Sequence, residues 1–323
     1  MKNCLFVIIL FIVQIAQCQY TDEINTNRPG ISYGAYTPGL QVIQLETGFS
    51  YLNDNHNLRV ANANSFGIDY ALRYGLRVSQ LEVILDGTFL NQTEKILVGN
   101  QFQNFDNSNF ERNSFGAKYL VFDPWIKRDL EQKNLLSWKA NNAFRWRYLI
   151  PTVSLYGGTN FLFSESPFMP PSEPTFTGRF AVITQNNIGK WVFVSNFLID
   201  RIGSEFPSYS GIFTLTHSIN REVSVFGEFQ TIISDFYSDE LVRLGGAYLF
   251  TKDIQLDAFI LGNFKDTPRR FQFGVGVSYR FDKFYKEEYL FDTKAEQEEF
   301  KKAEDIKQQK KSRQEKFEIP PGF

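Results

Sequence analysis

Cysteine, histidine and long apolar runs are all scarce in this chain of 323 residues. Two cysteines exclude a scaffold held by disulfides, and two histidines give little material for a metal site. The absence of any run of roughly 20 apolar residues excludes a protein that crosses a membrane with several helices. A nucleic-acid binder would usually be basic, but 34 basic residues face 36 acidic ones. We therefore expect no cofactor, no metal and no nucleic-acid partner.

Aromatic residues, in contrast, are abundant. The chain has 34 Phe, 15 Tyr and 4 Trp, yet its mean hydropathy is only -0.27. This composition excludes disorder throughout the chain. It also indicates that apolar residues are spread along the sequence rather than collected in blocks.

The first 18 residues have the three parts of a secretory signal peptide. Lys2 gives a positive start, Leu5 to Val13 is an unbroken apolar run, and Ala16 to Cys18 supplies small residues before a cleavage site. A buried N-terminal strand or helix is the alternative. Cleavage after Cys18 would also remove Cys4, so the mature chain would depend on packing and backbone hydrogen bonds for stability.

Between residues 41 and 281, apolar and polar residues alternate with a period of two, which predicts β-strands. In segment 65–76, for example, Phe66, Ile68 and Leu72 share one face, and Asp69 and Arg73 share the other. Twelve such segments are predicted, at 41–52, 65–76, 80–90, 111–122, 146–158, 176–187, 190–201, 209–219, 222–233, 240–250, 253–264 and 270–281. Their lengths suit tilted membrane strands, which need roughly 9–11 residues.

The connections distinguish a membrane barrel from a soluble sandwich. Short links near 77–79, 188–189, 220–221 and 251–252 alternate with longer links at 53–64, 91–110, 159–175, 202–208 and 234–239. Such alternation is typical of a barrel with tight periplasmic turns and longer outer loops. Segment 123–145 is the exception and is predicted to be a periplasmic helix or an extended hairpin. Aromatic residues near the strand ends suggest a girdle, namely Tyr51, Tyr74, Phe89, Trp191, Tyr248, Phe250, Tyr279 and Phe281.

These observations predict an all-β protein, an antiparallel transmembrane β-barrel of about 12 strands in the bacterial outer membrane. The predicted organisation is a signal peptide at 1–18, an N-terminal periplasmic or plug segment at 19–40, the barrel at 41–281 and a charged periplasmic tail at 282–323. A closed barrel satisfies its backbone hydrogen bonds without water and leaves no sheet edge. For the tail, disorder and a helix that docks on a partner remain equal alternatives.

The start of the predicted mature chain carries a family motif. Asn25-Thr26-Asn27-Arg28-Pro29-Gly30 is followed by Pro38-Gly39 and then by Gln44-Leu45-Glu46-Thr47-Gly48-Phe49. This pattern resembles the outer-membrane barrel family named after the meta-pathway of phenol degradation, in a Bacteroidetes-type form. Asn27 stands where the family carries Asp, so the role of that carboxylate cannot be transferred. The resemblance implies an outer-membrane barrel with a part in substrate uptake.

If the apolar faces meet lipid, the opposite faces line the interior. Seven acidic and five basic side chains then point into the lumen: Glu46, Asp69, Glu82, Asp86, Asp200, Glu228 and Asp257, with Arg73, Lys118, Arg179, Arg243 and Arg280. One interpretation is a salt-bridged interior that holds the wall in shape. The other is a polar path for a small solute. Twelve strands predict a narrow or partly plugged lumen rather than a general porin.

We therefore expect a transporter or narrow channel for small solutes, hydrophobic or aromatic ones included. The expected partners are outer-membrane lipids, the solute and, during biogenesis, the barrel-assembly machinery, because segment 270–281 resembles the terminal strand that this machinery recognises. A lipase-like or deacylase-like barrel enzyme is the main alternative, with His217-Ser218 as its candidate pair. Neighbours in a strand point to opposite faces, which argues against that pair, and His56 is expected in an outer loop. A structural or adhesive barrel that transports nothing is a third possibility.

Overall fold

A computed structural model describes residues 23–124, 146–170 and 172–283, and these residues form a closed antiparallel barrel of twelve strands. The strands are β1 Ile43–His56, β2 Ala61–Gly75, β3 Leu81–Val98, β4 Gln101–Phe122, β5 Thr152–Phe161, β6 Phe176–Ile188, β7 Trp191–Ile202, β8 Ser208–Ser218, β9 Val223–Ile233, β10 Asp239–Thr251, β11 Ile254–Asn263 and β12 Arg269–Phe281. Each strand pairs with its neighbours in sequence, and β1 closes the barrel against β12, from Ile43–Phe281 to Asn55–Arg269. The predicted fold class is confirmed.

Two predicted outer loops are instead continuations of strands. The links predicted at 53–64 and 91–110 are wrong, because β1 and β2 pair up to His56–Ala61 and β3 and β4 pair up to Val98–Gln101. Asn53 to His56 and Asn91 to Lys95 are runs of consecutive polar residues, so the alternation that marks a membrane strand is lost there. Cross-strand hydrogen bonds such as Thr93 Oγ1 to Asp106 Oδ1, at 2.7 Å, hold the hairpin together.

The fifth segment also begins later than predicted. Trp146–Leu149 forms a turn of 3-10 helix, and β5 starts only at Thr152, directly after Pro151. Proline lacks the N–H that a sheet ladder needs, which explains the late start. The helix or hairpin predicted for 123–145 lies outside the described residues, apart from 123–124. So do the predicted signal peptide and almost all of the predicted tail.

The outer surface of the barrel is apolar. Phe49 and Phe66 are 62% and 66% exposed, and exposed Phe, Leu, Ile and Val alternate with buried residues along the strands. Six of the eight predicted girdle residues are exposed near the short turns: Tyr74, Trp191, Tyr248, Phe250, Tyr279 and Phe281. In the part of the chain that the structure describes, no helix is long and apolar enough to cross a membrane.

The interior, in contrast, is largely polar and buried. Arg73, Lys118, Glu82 and Gln44 are all among the fully buried side chains. Burying a charge is costly unless it is paired and hydrogen-bonded, so these side chains must satisfy one another or another part of the chain. The N-terminal segment supplies many of their partners.

Candidate functional site: the occupied lumen

Residues 24–37, which we call the plug segment, cross the lumen as a loop. The segment enters at the short-turn end, where Ile24 N donates to Lys252 O at 2.8 Å. It leaves at the same end, where Thr37 Oγ1 donates to Ser79 O at 2.7 Å. Between these points its backbone lies among side chains of the wall, in no regular secondary structure. The polar interior therefore replaces the hydrogen bonds that a strand or helix would have provided.

Arg28 anchors the entering limb. Its Nε and Nη2 donate to the two carboxylate oxygens of Asp257 at 3.2 and 3.1 Å, a bidentate arrangement, and Asp69 lies 3.9 Å from Nη1. The guanidinium lies over Gly48 and Gly276, which are register partners on β1 and β12. A Cβ at either glycine would come within 2.2 to 2.3 Å of a guanidinium nitrogen. This glycine pair therefore makes room for Arg28.

Glu228 holds the apex of the loop. The backbone N–H groups of Ile31 and Ser32 donate to Glu228 Oε2 at 3.1 and 3.3 Å. Thr214 Oγ1 contacts both Glu228 Oε2 and Ser32 Oγ at 2.8 Å, and Arg243 pairs with the other oxygen of Glu228. The carboxylate is thus surrounded by donors, as a buried charge requires.

Tyr33 anchors the returning limb. Its backbone N–H donates to Asn196 Oδ1 at 2.6 Å, and Asn196 Nδ2 donates back to Tyr33 O at 3.0 Å. Its ring stacks on the ring of Tyr156, with the ring centroids 5.2 Å apart, and its hydroxyl oxygen lies 3.3 Å from Asp86 Oδ1. Burial raises the pKa of the Tyr33 phenol, so the hydroxyl keeps its proton and donates to the carboxylate. Farther along, Ala35 N donates to Gln185 Oε1 at 2.8 Å.

A cluster of four charges clamps both limbs near the short-turn end. Arg73 pairs with Glu46 and Glu82 at 3.3 and 3.0 Å, and Lys118 pairs with Glu82 at 2.9 Å. The same cations donate to backbone carbonyls of the plug segment: Arg73 to Asn25 O at 2.8 Å and Lys118 to Tyr36 O at 3.0 Å. Two cations and two anions, all at most 2% exposed, leave this cluster electrically balanced.

The structure places all twelve predicted lumen residues on the inner side of the wall. Besides the pairs above, Arg179 lies 3.9 Å from Asp86, Arg280 pairs with Asp253 at 2.7 Å, and Asp200 accepts from Asn160. Asp69 accepts a hydrogen bond from Thr88. Most of the twelve therefore take part in ion pairs, and their use as a solute path stays a prediction.

The other residues of the family motif lie where the plug segment meets the wall. Asn25 O accepts from Gln44 Nε2 at 3.0 Å, and Asn27 Oδ1 accepts from Gly34 N at 2.9 Å, which ties the two limbs together. Pro29 lies beside Arg28. Pro38 and Gly39 form the turn before β1, and Gly39 has a φ of 115°, which favours glycine. The residues of the family motif thus position the plug segment against the barrel wall.

Two cavities flank the plug segment. The larger one, about 410 Å³, lies toward the outer loops, and the smaller one, about 240 Å³, lies toward the short turns. Both are lined by Asn27, Arg28, Pro29 and Gly30. These four residues therefore lie between the two cavities.

The larger cavity has one apolar wall. The side chains that form it belong to β7–β11, namely Leu198, Ile212, Ile232, Leu241, Phe259 and Leu261. Facing them are polar groups that include Tyr33, Asp86, Arg112 and Arg179. The twelve predicted lumen residues are all charged, so this apolar wall was not predicted. The sequence signal is the unbroken apolar run 258–261, in which both faces of β11 are apolar.

The candidate catalytic residues do not form a site. His217 is paired in register with Trp191 and lies against its ring at 4.1 Å on the outer face of the barrel. Ser218 follows it in the strand and points to the opposite face. His56 Nδ1 accepts from Arg59 N at the β1–β2 turn. Within the described ranges, no group of three His, Cys, Asp or Glu residues could hold a metal ion.

A closed barrel with an apolar belt outside and paired charges inside defines an outer-membrane β-barrel protein. The model of the family described as "Putative MetA-pathway of phenol degradation" matches residues 26–281, and the chain belongs to this family. The family resemblance based on the opening motif is confirmed. No curated protein is significantly similar in sequence.

Solved structures share the fold at low sequence identity. An outer-membrane channel from Pseudomonas putida F1 superposes with a TM-score of 0.53 and 9% identity, over 80% of this chain and 100% of that one. The NanC porin gives 0.44 and 10%, over 73% and 98%. The translocator domain of the autotransporter NalP from Neisseria meningitidis gives 0.42 and 8%, over 74% and 88%. The first of these similarities supports the fold.

Proposed function

We propose that the protein is an outer-membrane channel for small solutes, closed at rest by the plug segment. The observation that carries this proposal is the pair of cavities with Asn27–Gly30 between them. A solute in the larger cavity would be separated from the smaller one by one layer of chain. Displacement of these four residues would join the two cavities without opening the barrel wall.

We further propose that the solutes have an apolar part. The apolar wall of the larger cavity favours this, because apolar surface gains free energy when it is removed from water. Membership of a family described by phenol degradation agrees with it. Aromatic solutes therefore belong to the candidates.

An enzyme is the less favoured alternative. A serine hydrolase needs a nucleophile and a base within hydrogen-bond reach, and His217 and Ser218 lie on opposite faces of β8. Detergent-solubilised protein should therefore leave esters of short fatty acids uncleaved. An adhesive barrel that transports nothing differs from a channel in one property: it should not conduct even after the plug segment is removed.

Deletion of residues 24–37 tests the role of the plug segment. In planar bilayers, we expect the deletion variant to conduct severalfold more current per channel than the full chain. An unchanged conductance would contradict the proposal, and a folded variant that conducts nothing would favour the non-transporting barrel. Heat-modifiable mobility on gels verifies that the variant is folded.

A reversible lock tests whether the plug segment must move. Ser32 Oγ and Thr214 Oγ1 are 2.8 Å apart, so Ser32→Cys with Thr214→Cys places two thiols within bonding range. The variant is best prepared by refolding a chain that begins at Gln19, which contains no other cysteine. Oxidation should suppress channel openings and a reductant should restore them, whereas Ser32→Cys alone should respond to neither. Equal conductance of the oxidised and reduced double variant would argue against a moving plug.

A further inference from the structure

The larger cavity contains a buried guanidinium that is poorly satisfied. Arg179 is 4% exposed on its side chain and lines this cavity. Its Nη1 donates to Ser114 Oγ at 3.3 Å, and within the described residues its Nε has no hydrogen-bond partner. A guanidinium offers five N–H donors, and leaving buried donors unpaired is costly. Arg179 therefore has an unpaired donor, and its guanidinium must turn for a ligand to reach Nε, which is shielded from solvent.

The carboxylate nearest to Arg179 is already occupied. Asp86 accepts from the Tyr33 hydroxyl, from Ser114 Oγ and from Arg112 Nη2, which lies 3.0 Å away. Arg179 lies 3.9 Å from the same carboxylate. Arg112 Nε also lacks a partner within the described part of the chain. Two guanidiniums thus share one carboxylate that has little acceptor capacity left.

The opposite wall of the same cavity is apolar. Leu241, Phe259 and Leu261 form a cluster there, and Ile232 packs against it. A ligand that fills this cavity meets the donors of Arg179 and Arg112 on one side and this hydrocarbon on the other, with Arg243 lying over the Phe259 ring, 5.0 Å from its centroid. Such segregation fits a molecule with an anionic head and an apolar body.

The charges around the cavity limit the head to a single negative charge. The cavity is lined by six cations and five anions, an excess of one positive charge: Arg28, Arg112, Arg179, Arg201, Arg243 and Arg270, with Glu46, Asp69, Asp86, Glu111 and Asp200. A monocarboxylate can take two parallel N–H bonds from a guanidinium, which is a favourable geometry. A head with two negative charges would add a repulsion that this balance does not offset.

We propose that the larger cavity is a binding site for small monocarboxylic acids with an apolar body, held at the head by Arg179 and Arg112. The proposal rests on the proposed channel function, because it names the class of solute that the channel would take up. The apolar wall selects the body, and the guanidiniums select the head.

Calorimetric titration of the full chain in lipid nanodiscs tests this proposal with three probes. Cyclohexanecarboxylate has both head and body, cyclohexanecarboxamide has the same shape without the charge, and acetate lacks the body. We expect saturable binding of the first probe and at least about tenfold weaker binding of the other two, a difference of roughly 1.4 kcal/mol each. Equal affinity for the acid and the amide would overturn the assignment of the head site.

Variants locate the site. Arg179→Gln should weaken binding of cyclohexanecarboxylate at least tenfold, and Leu261→Asn should weaken it through the apolar wall. Arg59→Gln is the matched control, because Arg59 is exposed at the β1–β2 turn and pairs with Glu94. If Arg179→Gln does not fold, Arg112→Gln replaces it, since the Arg112 side chain is 36% exposed. Unchanged affinity in a folded arginine variant would refute the site.

The outcomes separate this proposal from the channel function. If none of the probes binds but deletion of residues 24–37 still opens the channel, the binding site is wrong and the channel stands. If the acid binds as expected but deletion opens nothing, the site exists in a barrel that does not conduct.

Discussion

The two halves of the lumen are built differently. Toward the short turns, a balanced cluster of Glu46, Arg73, Glu82 and Lys118 holds both limbs of the plug segment and leaves a cavity of about 240 Å³. Toward the outer loops, a cavity of about 410 Å³ remains between an apolar and a charged wall. We call these the clamped half and the open half. Under the proposed function, one end of the barrel fixes the plug segment and the other end receives the solute.

The largest expected effect comes from breaking the clamped half. Arg73→Ala removes the partner of two buried carboxylates and a donor to the plug segment. Breaking a buried ion pair costs about 3–5 kcal/mol of unfolding free energy. Urea unfolding in lipid vesicles, followed by tryptophan fluorescence, measures the loss. Arg59→Ala, which breaks an exposed pair, should cost about 1 kcal/mol or less, and equal losses would contradict the distinction.

A smaller effect is expected where Arg28 crosses the glycine pair. Gly48→Ala puts a methyl group against the guanidinium, which must move away from Asp257. Loss of a hydrogen bond to a charged group costs about 1.5–3 kcal/mol. We also expect more frequent channel openings in planar bilayers. Gly157→Ala, whose Cβ would meet nothing within 4 Å, is the control and should change neither property.

Asn196→Ala tests how strongly the returning limb of the plug segment is anchored compared with the charged cluster at Arg73. The substitution leaves the buried N–H and C=O of Tyr33 without their side-chain partner. Each unsatisfied buried group costs about 1–3 kcal/mol, and the Tyr33–Tyr156 stack should keep part of the limb in place. Protease accessibility of residues 24–37 should therefore rise less than in Arg73→Ala. A larger rise than in Arg73→Ala would show that the main anchor of the plug segment lies in the open half.

The smallest effect is expected in the open half. Ile232→Ala shortens a partly buried side chain that borders the larger cavity, so little packing is lost. We expect a loss of unfolding free energy of about 1 kcal/mol, the centre of the range for point substitutions. A loss as large as that of Arg73→Ala, in the same urea titration, would show that both halves are equally packed.

The barrel could be predicted from sequence because lipid imposes one rule on every strand. In β2, the apolar residues Phe66, Ile68 and Leu72 must face hydrocarbon, so Asp69 and Arg73 must face inward. The alternation of the sequence therefore indicates the orientation of both sets. Where that rule ends, prediction failed, as in the hairpin beyond Leu90, which begins with the consecutive polar residues Asn91 to Lys95. The apolar wall at Phe259 and Leu261 was not predicted for the opposite reason, because both faces of β11 are apolar there.

The partners inside the lumen were less accessible to sequence reasoning. Arg28 and Asp257 are 229 residues apart in sequence, and Tyr33 and Asn196 are 163 apart. Their contact depends on the path of an irregular segment through a closed barrel, which no local periodicity encodes. The choice of residues 19–40 as a candidate plug came from composition and position, and its contacts came from the structure.

Crosslinking tests the central claim, that the plug segment lies inside the lumen, most directly. Thr26 Oγ1 and Ser278 Oγ are 2.9 Å apart, so Thr26→Cys with Ser278→Cys should form a disulfide in vesicles upon mild oxidation. Mass spectrometry of the digested protein should find residues 26 and 278 joined, and Thr26→Cys with Ser210→Cys, whose second site lines the larger cavity, should stay unlinked. Free, alkylated thiols at both 26 and 278 in folded barrels would contradict the account.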